Sequence, residues 1–374
     1  MKTNKQLGVY YQNDLVGTLA LTSERKAAFE YSASWIENGF SISPFSLPLK
    51  KQVFIPVKPY FHGLFGVFAD SLPDAWGNIL LDRLLKRNGI SPDELNILDR
   101  LAIVGSSGMG ALTYQPEITL SEQTGTVDLD VLAEECQKIL TTEYAENLDE
   151  LYRLGGTSGG ARPKIMTQIE DEEWIIKFPA HVDGKDAGEM EYQYSLCAKA
   201  CGISMTETKL FPSEKCKGYF GIKRFDRMRE KNGTMKKVHM LTAAALLELD
   251  FEQPSLDYHS LMKLTKILTQ DNIQDMENMF LRMCFNVFAH NRDDHAKNFT
   301  YIYDESNDEW RLSPAYDLTY STTYYGEHTT TVDGNGKNPG RKELLAVGTK
   351  AGLKKNQCEN MIEKVKKCVD TMLK

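Results

Sequence analysis

Two short stretches constrain this chain most. Residues 290–298 read His-Asn-Arg-Asp-Asp-His-Ala-Lys-Asn, and residues 312–318 read Leu-Ser-Pro-Ala-Tyr-Asp-Leu. Between them lie two strand-like runs, 299–303 and 309–312, with turn residues at 304–308. A hairpin returns a chain close to where it left, so Asp317 comes back towards Asn298. Any fold of this chain must therefore gather Asp293, Asn298 and Asp317 in one loop region. Asp and Asn also collect in loops for turn and capping reasons. His290 and His295 are five residues apart and do not share a helix face, as an i, i+4 metal pair would.

The Asp293-to-Asn298 spacing is that of the catalytic loop H-R-D-x-x-x-x-N of phosphotransferases, with Arg292 directly before the Asp. Phosphoryl transfer is mostly positioning and charge neutralisation. A carboxylate beside the attacking hydroxyl orients it and accepts its proton, the role open to Asp293. An amide oxygen and a second carboxylate, Asn298 and Asp317, can hold Mg²⁺ on the nucleotide's phosphates.

Upstream, Gly155-Gly-Thr-Ser-Gly-Gly160 places four Gly in six residues and leads through Ala161, Arg162 and Pro163 to Lys164. Bare backbone N–H groups of this kind can approach phosphates. The run lacks the Gly-Lys-Ser/Thr of a Walker A loop. It directly precedes a strand pair, 164–169 and 173–178, whose second member carries Lys177. A Gly-rich loop beside a strand Lys is the kinase order; an edge Lys that reaches solvent is the structural alternative. The helix expected at 189–202 offers Glu189 or Glu191 as a partner for that Lys. A strand at 218–227 ends in charged residues and forms the crossing between lobes. Beyond it helices dominate, at 242–249, 256–269 and 271–288.

The amino-terminal third reads differently. Short strands are expected at 7–11, 15–20 and 29–32, an extended Pro-broken segment at 43–49 and an edge strand at 54–56. Asp70 or Ser71 is expected to cap a helix with apolar positions 79, 80, 81, 84 and 85. A further helix is expected over 91–103, with Ser91 as cap and Pro92 in the first turn. Gly105-Ser-Ser-Gly-Met-Gly110 reads as a plain turn before a strand at 111–115.

Composition excludes several classes. The net charge of −8 resides in residues 121–150, with nine acids against one base, so no bulk basic charge points to nucleic acid. That stretch reads as a solvated helical face plus a connector. The tail from Gly352 reads as a closing amphipathic helix. No apolar run is long enough for a membrane span, the start is not a signal-peptide core, and the seven scattered Cys contain no C-x-x-C. A cytoplasmic protein with reduced thiols is expected.

Taken together, Ser43-Pro-Phe-Ser-Leu-Pro-Leu49, Asp70-Ser-Leu-Pro-Asp-Ala-Trp-Gly77, Gly159-Gly-Ala-Arg-Pro-Lys164, Ile175-Ile-Lys-Phe-Pro179, Arg224-Phe-Asp-Arg227, Asn291-Arg-Asp-Asp-His-Ala-Lys-Asn-Phe299 and the 312–318 run resemble the HipA-type serine/threonine kinases, toxins of bacterial type II toxin–antitoxin systems. The resemblance covers nearly the whole chain. It implies an α+β, protein-kinase-like two-lobe fold with an extra amino-terminal mixed α/β subdomain (1–120). The acidic helical connector (121–150), a kinase-like N-lobe (151–227) and a mostly helical C-lobe (228–374) follow.

By the resemblance, Asp293 is the catalytic base and Asn298 and Asp317 hold Mg²⁺. Lys177 contacts the phosphates of ATP, and Gly159, Gly160, Ala161, Arg162, Pro163 and Lys164 cover the nucleotide. Lys223, Arg224 and Phe225 fall at the adenine hinge, while His295, Ala296, Lys297 and Tyr316 line the pocket. The family also phosphorylates a Ser in its own Gly-rich loop, a position matched here by Thr157, with Ser158 beside it. The partners implied are an aminoacyl-tRNA synthetase or another translation protein as protein substrate and a helix-turn-helix antitoxin, with DNA reached only through that antitoxin. The alternatives are a catalytically silent co-repressor that docks the antitoxin, and a small-molecule kinase of related fold.

Overall fold

The computed structural model describes residues 3–120, 128–180, 182–323 and 325–373. The fold is α+β. The chain divides into two compact units. One holds residues 1–188, 211–241 and 245–249; the other holds 189–210, 242–244 and 250–374.

In the first unit, Gln6–Tyr11 and Asp14–Leu21 pair antiparallel across a turn at Gln12, whose φ is 53°. Leu7, Val9 and Tyr11 face the core at period two, as the alternation requires. Ala27–Tyr31 and then the edge strand Val53–Phe54 extend the sheet on one side. Leu112–Gln115 extends it on the other, against Gln6–Tyr11. Gly17 is a close-approach position: a Cβ there would lie 2.2 Å from the Glu30 carbonyl oxygen of the neighbouring strand.

Three local expectations are corrected. Residues 43–49 are not extended; Ser43 and Leu47 close a turn by an antiparallel bridge. Asp70 ends the short helix Gly66–Ala69, and Pro73 separates it from the helix Ala75–Arg87, which Asp74 precedes. Neither Asp70 nor Ser71 caps that helix. Residues 91–103 are not one helix either. Pro92–Glu94 forms a 3-10 turn, and Ile97–Val104 starts afresh because Asn96 and Asp99 make a capping box.

The acidic stretch, described from residue 128, is helical with Asp128, Glu134, Glu143 and Glu146 exposed, and departs from a solvated face at Glu135 and Glu150. Leu129–Leu140 and Leu148–Gly155 are helices, and Leu132, Cys136, Ile139, Leu148 and Leu151 join the core that contains Trp76, Ile165, Ile176 and Phe178. Glu135 and Glu150 are 3% and 2% exposed. Lys138 and the Asn147 amide bond Glu135, and Arg153 bonds Glu150. Residues 121–127 lie outside the described residues.

A second sheet pairs Lys164–Ile169 with Glu172–Lys177 through left-handed Glu170 and Asp171, and Glu172–Lys177 with Tyr219–Lys223, all antiparallel. His239 is buried in this unit. Its Nε2–H donates to the Ile42 carbonyl at 2.8 Å, and its ring lies 5.6 Å from Phe40. Burial pushes its pKa down to about 4. Between the ordinary value and about 4 the unfolded chain holds a proton that the folded chain does not. Stability therefore falls as pH falls through that window, by about 3 kcal/mol in all. Denaturant titrations between pH 7 and 4 are expected to show this slope, and His239→Gln is expected to flatten it.

In the second unit, Tyr258–Leu268, Ile273–Phe288, Arg341–Ala351 and Lys355–Met372 pack as a helical group. Met276, Phe280, Cys284 and Val287 form the stripe of Ile273–Phe288, and Cys358, Ile362, Val365 and Val369 that of Lys355–Met372, the expected amphipathic closing helix. Thr300–Asp304 and Glu309–Leu312 form the expected hairpin. Leu256–Asp257 pairs in parallel with Thr330–Thr331. Among the described residues all seven Cys are free, and no helix is long and apolar enough to cross a membrane.

Candidate active site

The candidate residues fall into two sets, one in each unit. In the first unit, the Gly-rich run begins where the helix Leu148–Gly155 ends, with Gly156 as its C-cap. Glycine is required at 155 because a Cβ there would lie 2.5 Å from the Lys164 carbonyl oxygen. The loop is held, not loose. Thr157 donates to the Ser107 carbonyl at 3.1 Å and Ser158 to the Gly155 carbonyl at 2.6 Å. Thr157 and Ser158 are 7% and 1% exposed. The Gly160 amide donates to Asp74 Oδ2 at 2.8 Å, and the Trp76 amide to the Gly160 carbonyl at 3.2 Å. Asp74 thus serves the loop, a role that the expectation of a helix cap at Asp70 or Ser71 concealed.

Lys164 Nζ donates to the Gly159 carbonyl at 2.6 Å. In the strand register Lys164 stands directly opposite Lys177, and Lys177 opposite Phe220. Like charges set opposite each other repel, so the pair favours an anion nearby. Lys177 Nζ lies 5.7 Å from the centre of the Phe220 ring. Ala161 and Arg162 are exposed, Arg162 pairs with Asp183, and the Pro163 carbonyl accepts from the Phe178 amide at 2.9 Å.

Lys223 pairs with Trp174 in the register, and the Arg224 amide donates to the Glu173 carbonyl at 2.8 Å. This is three residues back along the Lys177 strand, about 10 Å. The side chains there are committed elsewhere. Lys223 bonds Glu172 at 2.7 Å, and Arg224 forks onto Asp226 at 2.9 and 2.7 Å. Burial raises the Asp226 pKa, but the guanidinium groups of Arg224 and Arg227 outweigh it and hold the carboxyl well below its usual range. The Arg224 side chain is thus engaged within the fold.

In the second unit, the helix Ile273–Phe288 delivers the chain to His290, whose φ of 53° turns it sharply. Asn298 Nδ2 donates to the Asp293 carbonyl at 2.6 Å, which leaves its amide oxygen for another partner. The Asp293 carboxylate is 59% exposed, with His295 Nε2 4.0 Å away. His295 packs against Phe251, and Lys297 Nζ lies 4.5 Å over the same ring. Ala296 is buried.

Asp317 is brought to this loop from both sides. The Tyr316 hydroxyl donates to the Lys297 carbonyl at 2.6 Å, and Asn291 Nδ2 donates to the Asp317 carbonyl at 3.1 Å. Asp317 itself is left-handed, φ 52°. Arg282, fully buried, grips the Ser313 carbonyl from Ile273–Phe288, and burial pushes its pKa down to about 10. Asn298 and Asp317 offer one amide oxygen and one carboxylate, hard donors that fit Mg²⁺, an ion that keeps its other positions for water and phosphate. Of the two helical acids, Glu191 is buried and Glu189 half-buried, so neither faces open solvent.

A buried network behind this loop was not foreseen. Asp294 is 0% exposed. Its carboxylate accepts from the Tyr258 hydroxyl at 2.9 Å, His328 Nδ1 at 3.1 Å and the Thr330 amide at 3.1 Å. Asn286 Nδ2 donates to Tyr258 Oη at 2.9 Å, and Asn291 Nδ2 to Asn286 Oδ1 at 3.0 Å. One continuous chain of bonds thus runs from the Asp317 carbonyl to Asp294, the neighbour of Asp293. The only sequence signal was the doubled Asp.

The model of the HipA-like C-terminal domain matches residues 156–372. The chain belongs to the HipA-like family. The model of the HipA N-terminal domain matches residues 7–115. Two proteins of Sinorhizobium fredii (strain NBRC 101917 / NGR234) whose names carry the word kinase, Y4mE and Y4dM, are 22% and 23% identical to this HipA-like chain. The matches cover 86% and 87% of this chain and 79% and 80% of theirs. HipA from the Shewanella oneidensis MR-1 toxin–antitoxin complex of HipA, HipB and operator DNA superposes with a TM-score of 0.73 at 17% identity, over 98% of this chain and 90% of its own. The fold is therefore that of a HipA protein, as the sequence resemblance implied.

Proposed function

We propose that this HipA-family chain is a serine/threonine protein kinase that uses ATP with Mg²⁺ and acts as the toxin of a toxin–antitoxin pair. The observation that carries the proposal is the double tie of Asp317 to the loop of Asp293 and Asn298, through Tyr316–Lys297 and Asn291. In this reading Asp293 accepts the proton of the attacking hydroxyl as its oxygen bonds the γ-phosphorus and the bond to ADP breaks. Asn298 and Asp317 hold Mg²⁺, which neutralises charge on the phosphates. Lys177, the Gly159–Lys164 loop and the backbone at Lys223–Phe225 bind the nucleotide. His295, Ala296, Lys297 and Tyr316 line the pocket beside Asp293, Asn298 and Asp317.

The kinase names of the two relatives support the activity, and the HipA–HipB–operator DNA complex supports a DNA-binding antitoxin as partner, with DNA reached only through it. An aminoacyl-tRNA synthetase is the protein substrate class the family suggests. Co-purification from the native host with phosphosite mapping tests both partners. Thr157 and Ser158 are the proposed sites of self-modification. Their hydroxyls are buried and bonded, so the loop must leave its seat first. An added phosphate of roughly −1.5 to −2 charges would keep it out and lower ATP affinity.

Asp317→Ala is expected to weaken ATP binding about tenfold or more in Mg²⁺ and to weaken it far less without Mg²⁺, because the carboxylate acts on the nucleotide through the metal. Calorimetric titration with and without Mg²⁺ checks this. An equal loss in both conditions would contradict the metal role.

A further inference from the structure

The run Gly105-Ser-Ser-Gly-Met-Gly110 reads in the sequence as a plain turn. In the fold a hairpin far along the chain grips it. Arg227–Arg229 and Met235–Lys237 pair antiparallel, with Arg227 directly opposite Lys237. Two cations set opposite each other repel, and here they are shared out over the carbonyls of one loop. Lys237 Nζ donates to the Ser106 carbonyl, Arg227 Nη2 to the Gly108 carbonyl at 3.0 Å, and Arg227 Nη1 to the Gly110 carbonyl at 3.1 Å. The Asp226 carboxylate completes the grip. It accepts from Arg227 Nη1 at 2.8 Å and from the Gly110 amide at 2.8 Å. The Arg227 and Asp226 side chains are 8% and 2% exposed, so water does not compete for these bonds.

The carbonyls at 106, 108 and 110 are thus taken by the hairpin. The Ser107 carbonyl between them accepts from the Thr157 hydroxyl of the Gly-rich loop at 3.1 Å. Ser107 is itself fixed, since its amide and hydroxyl both donate to the Val104 carbonyl, at 2.9 and 2.8 Å. Elsewhere the Gly-rich loop is seated through backbone groups. The Gly160 amide donates to Asp74, the Trp76 amide to the Gly160 carbonyl, and the Asp74 amide to the Ser158 carbonyl at 3.4 Å. At Thr157 the tie is a side-chain hydroxyl on a carbonyl, and that carbonyl stays in place only while its own loop is held.

We infer that the Gly105–Gly110 loop is a latch for the Gly-rich loop, and that Arg227 is its positioning residue. By holding the Gly108 and Gly110 carbonyls, Arg227 keeps the Ser107 carbonyl where Thr157 can bond it. The inference rests on the kinase reading only for its consequence. In the seat the Thr157 and Ser158 hydroxyls are covered. Once the loop leaves, either oxygen can bond the γ-phosphorus of ATP while the bond from that phosphorus to ADP breaks and the hydroxyl proton passes to the carboxylate base. The latch therefore sets how often the loop opens, and with it the rate of self-modification.

Hydrogen exchange at the Ser158 and Gly160 amides, both bonded in the seat, reads that opening. Thr157→Val removes the donor at nearly constant shape and is expected to speed exchange about fivefold, the loss of one hydrogen bond. Thr157→Ser keeps the donor and should exchange as wild type does. Arg227→Met should match Thr157→Val, and the double variant should go no further, because both changes remove one and the same bond. Unchanged protection of Gln6–Tyr11 and Lys164–Ile169 shows that a variant has folded. If Arg227→Met fails that check, Lys237→Met, which frees the Ser106 carbonyl, takes its place under the same criteria. With Mg²⁺-ATP, phosphate at 157 or 158 should appear about fivefold faster in the Arg227 variant than in wild type, in step with the opening. Wild-type exchange in the Arg227 variant overturns the inference. So does Thr157→Ser exchanging as fast as Thr157→Val, or a double variant whose effects multiply to about 25-fold. A chain that phosphorylates other sites but never 157 or 158, or that opens faster without modifying itself faster, overturns the regulatory role. If no chain takes up phosphate from ATP, the kinase reading has failed, and the exchange rates still decide whether the latch exists.

Discussion

Asp293→Asn is expected to lower phosphoryl transfer by about 10²–10⁴-fold, the contribution of a positioned general base, while ATP affinity in Mg²⁺ stays within about twofold. The Asp293 carboxylate is exposed and takes no part in holding the loop; its backbone carbonyl does that, through Asn298. The amide keeps the side chain's shape and that backbone bond, so the fold and the Asn298 oxygen stay in place. What is lost is the acceptor for the hydroxyl proton, needed in the transition state and not for nucleotide binding. Single-turnover assays with parallel calorimetry separate the two. A parallel loss of ATP binding would mean that Asp293 contacts the metal and not the acceptor.

The neighbouring residue is expected to behave in the opposite way. Asp294→Ala removes the acceptor from Tyr258, His328 and the Thr330 amide in a site without solvent. Removing one partner from a buried charged network costs about 3–5 kcal/mol, a large share of the 5–15 kcal/mol that holds a typical domain. Tyr258→Phe, which removes one neutral donor, should cost about 1 kcal/mol. Denaturant midpoints should therefore drop far for Asp294→Ala, slightly for Tyr258→Phe and hardly at all for Asp293→Asn. Equal midpoints for the two Asp variants would show that the network does not carry the loop.

These adjacent carboxylates mark the limit of what a sequence shows. Asp293 and Asn298 were legible because their spacing is dictated by chemistry, and Asp317 because a hairpin with clear turn residues had to bring it back. Lys177 stood out as the lone base after the apolar run Trp174-Ile175-Ile176. Asp294 was not legible, because its partners come from Tyr258 and from His328 and Thr330, far away along the chain. Arg224 was misjudged for the same reason: Asp226 looks like part of a charged turn, and only burial turns the pair into an internal fork.

In the fold, alternation and turn residues marked the strands of the amino-terminal sheet, but not that Leu112–Gln115 closes it beside Gln6–Tyr11, since register between distant strands leaves no local trace. The helix start at Asn96 was hidden by an equally good signal at Ser91. Glu135 and Glu150 read as solvated because composition does not reveal Lys138 or Arg153 covering them.

The most direct test of the central claim is transfer of labelled γ-phosphate from ATP to protein in a cell lysate, with and without Mg²⁺, by this chain and by Asp293→Asn. The account predicts labelled protein only with the unaltered chain and only with Mg²⁺. No label, together with no Mg²⁺-dependent thermal shift on adding ATP, would contradict it and leave a kinase fold that serves only to bind its partner.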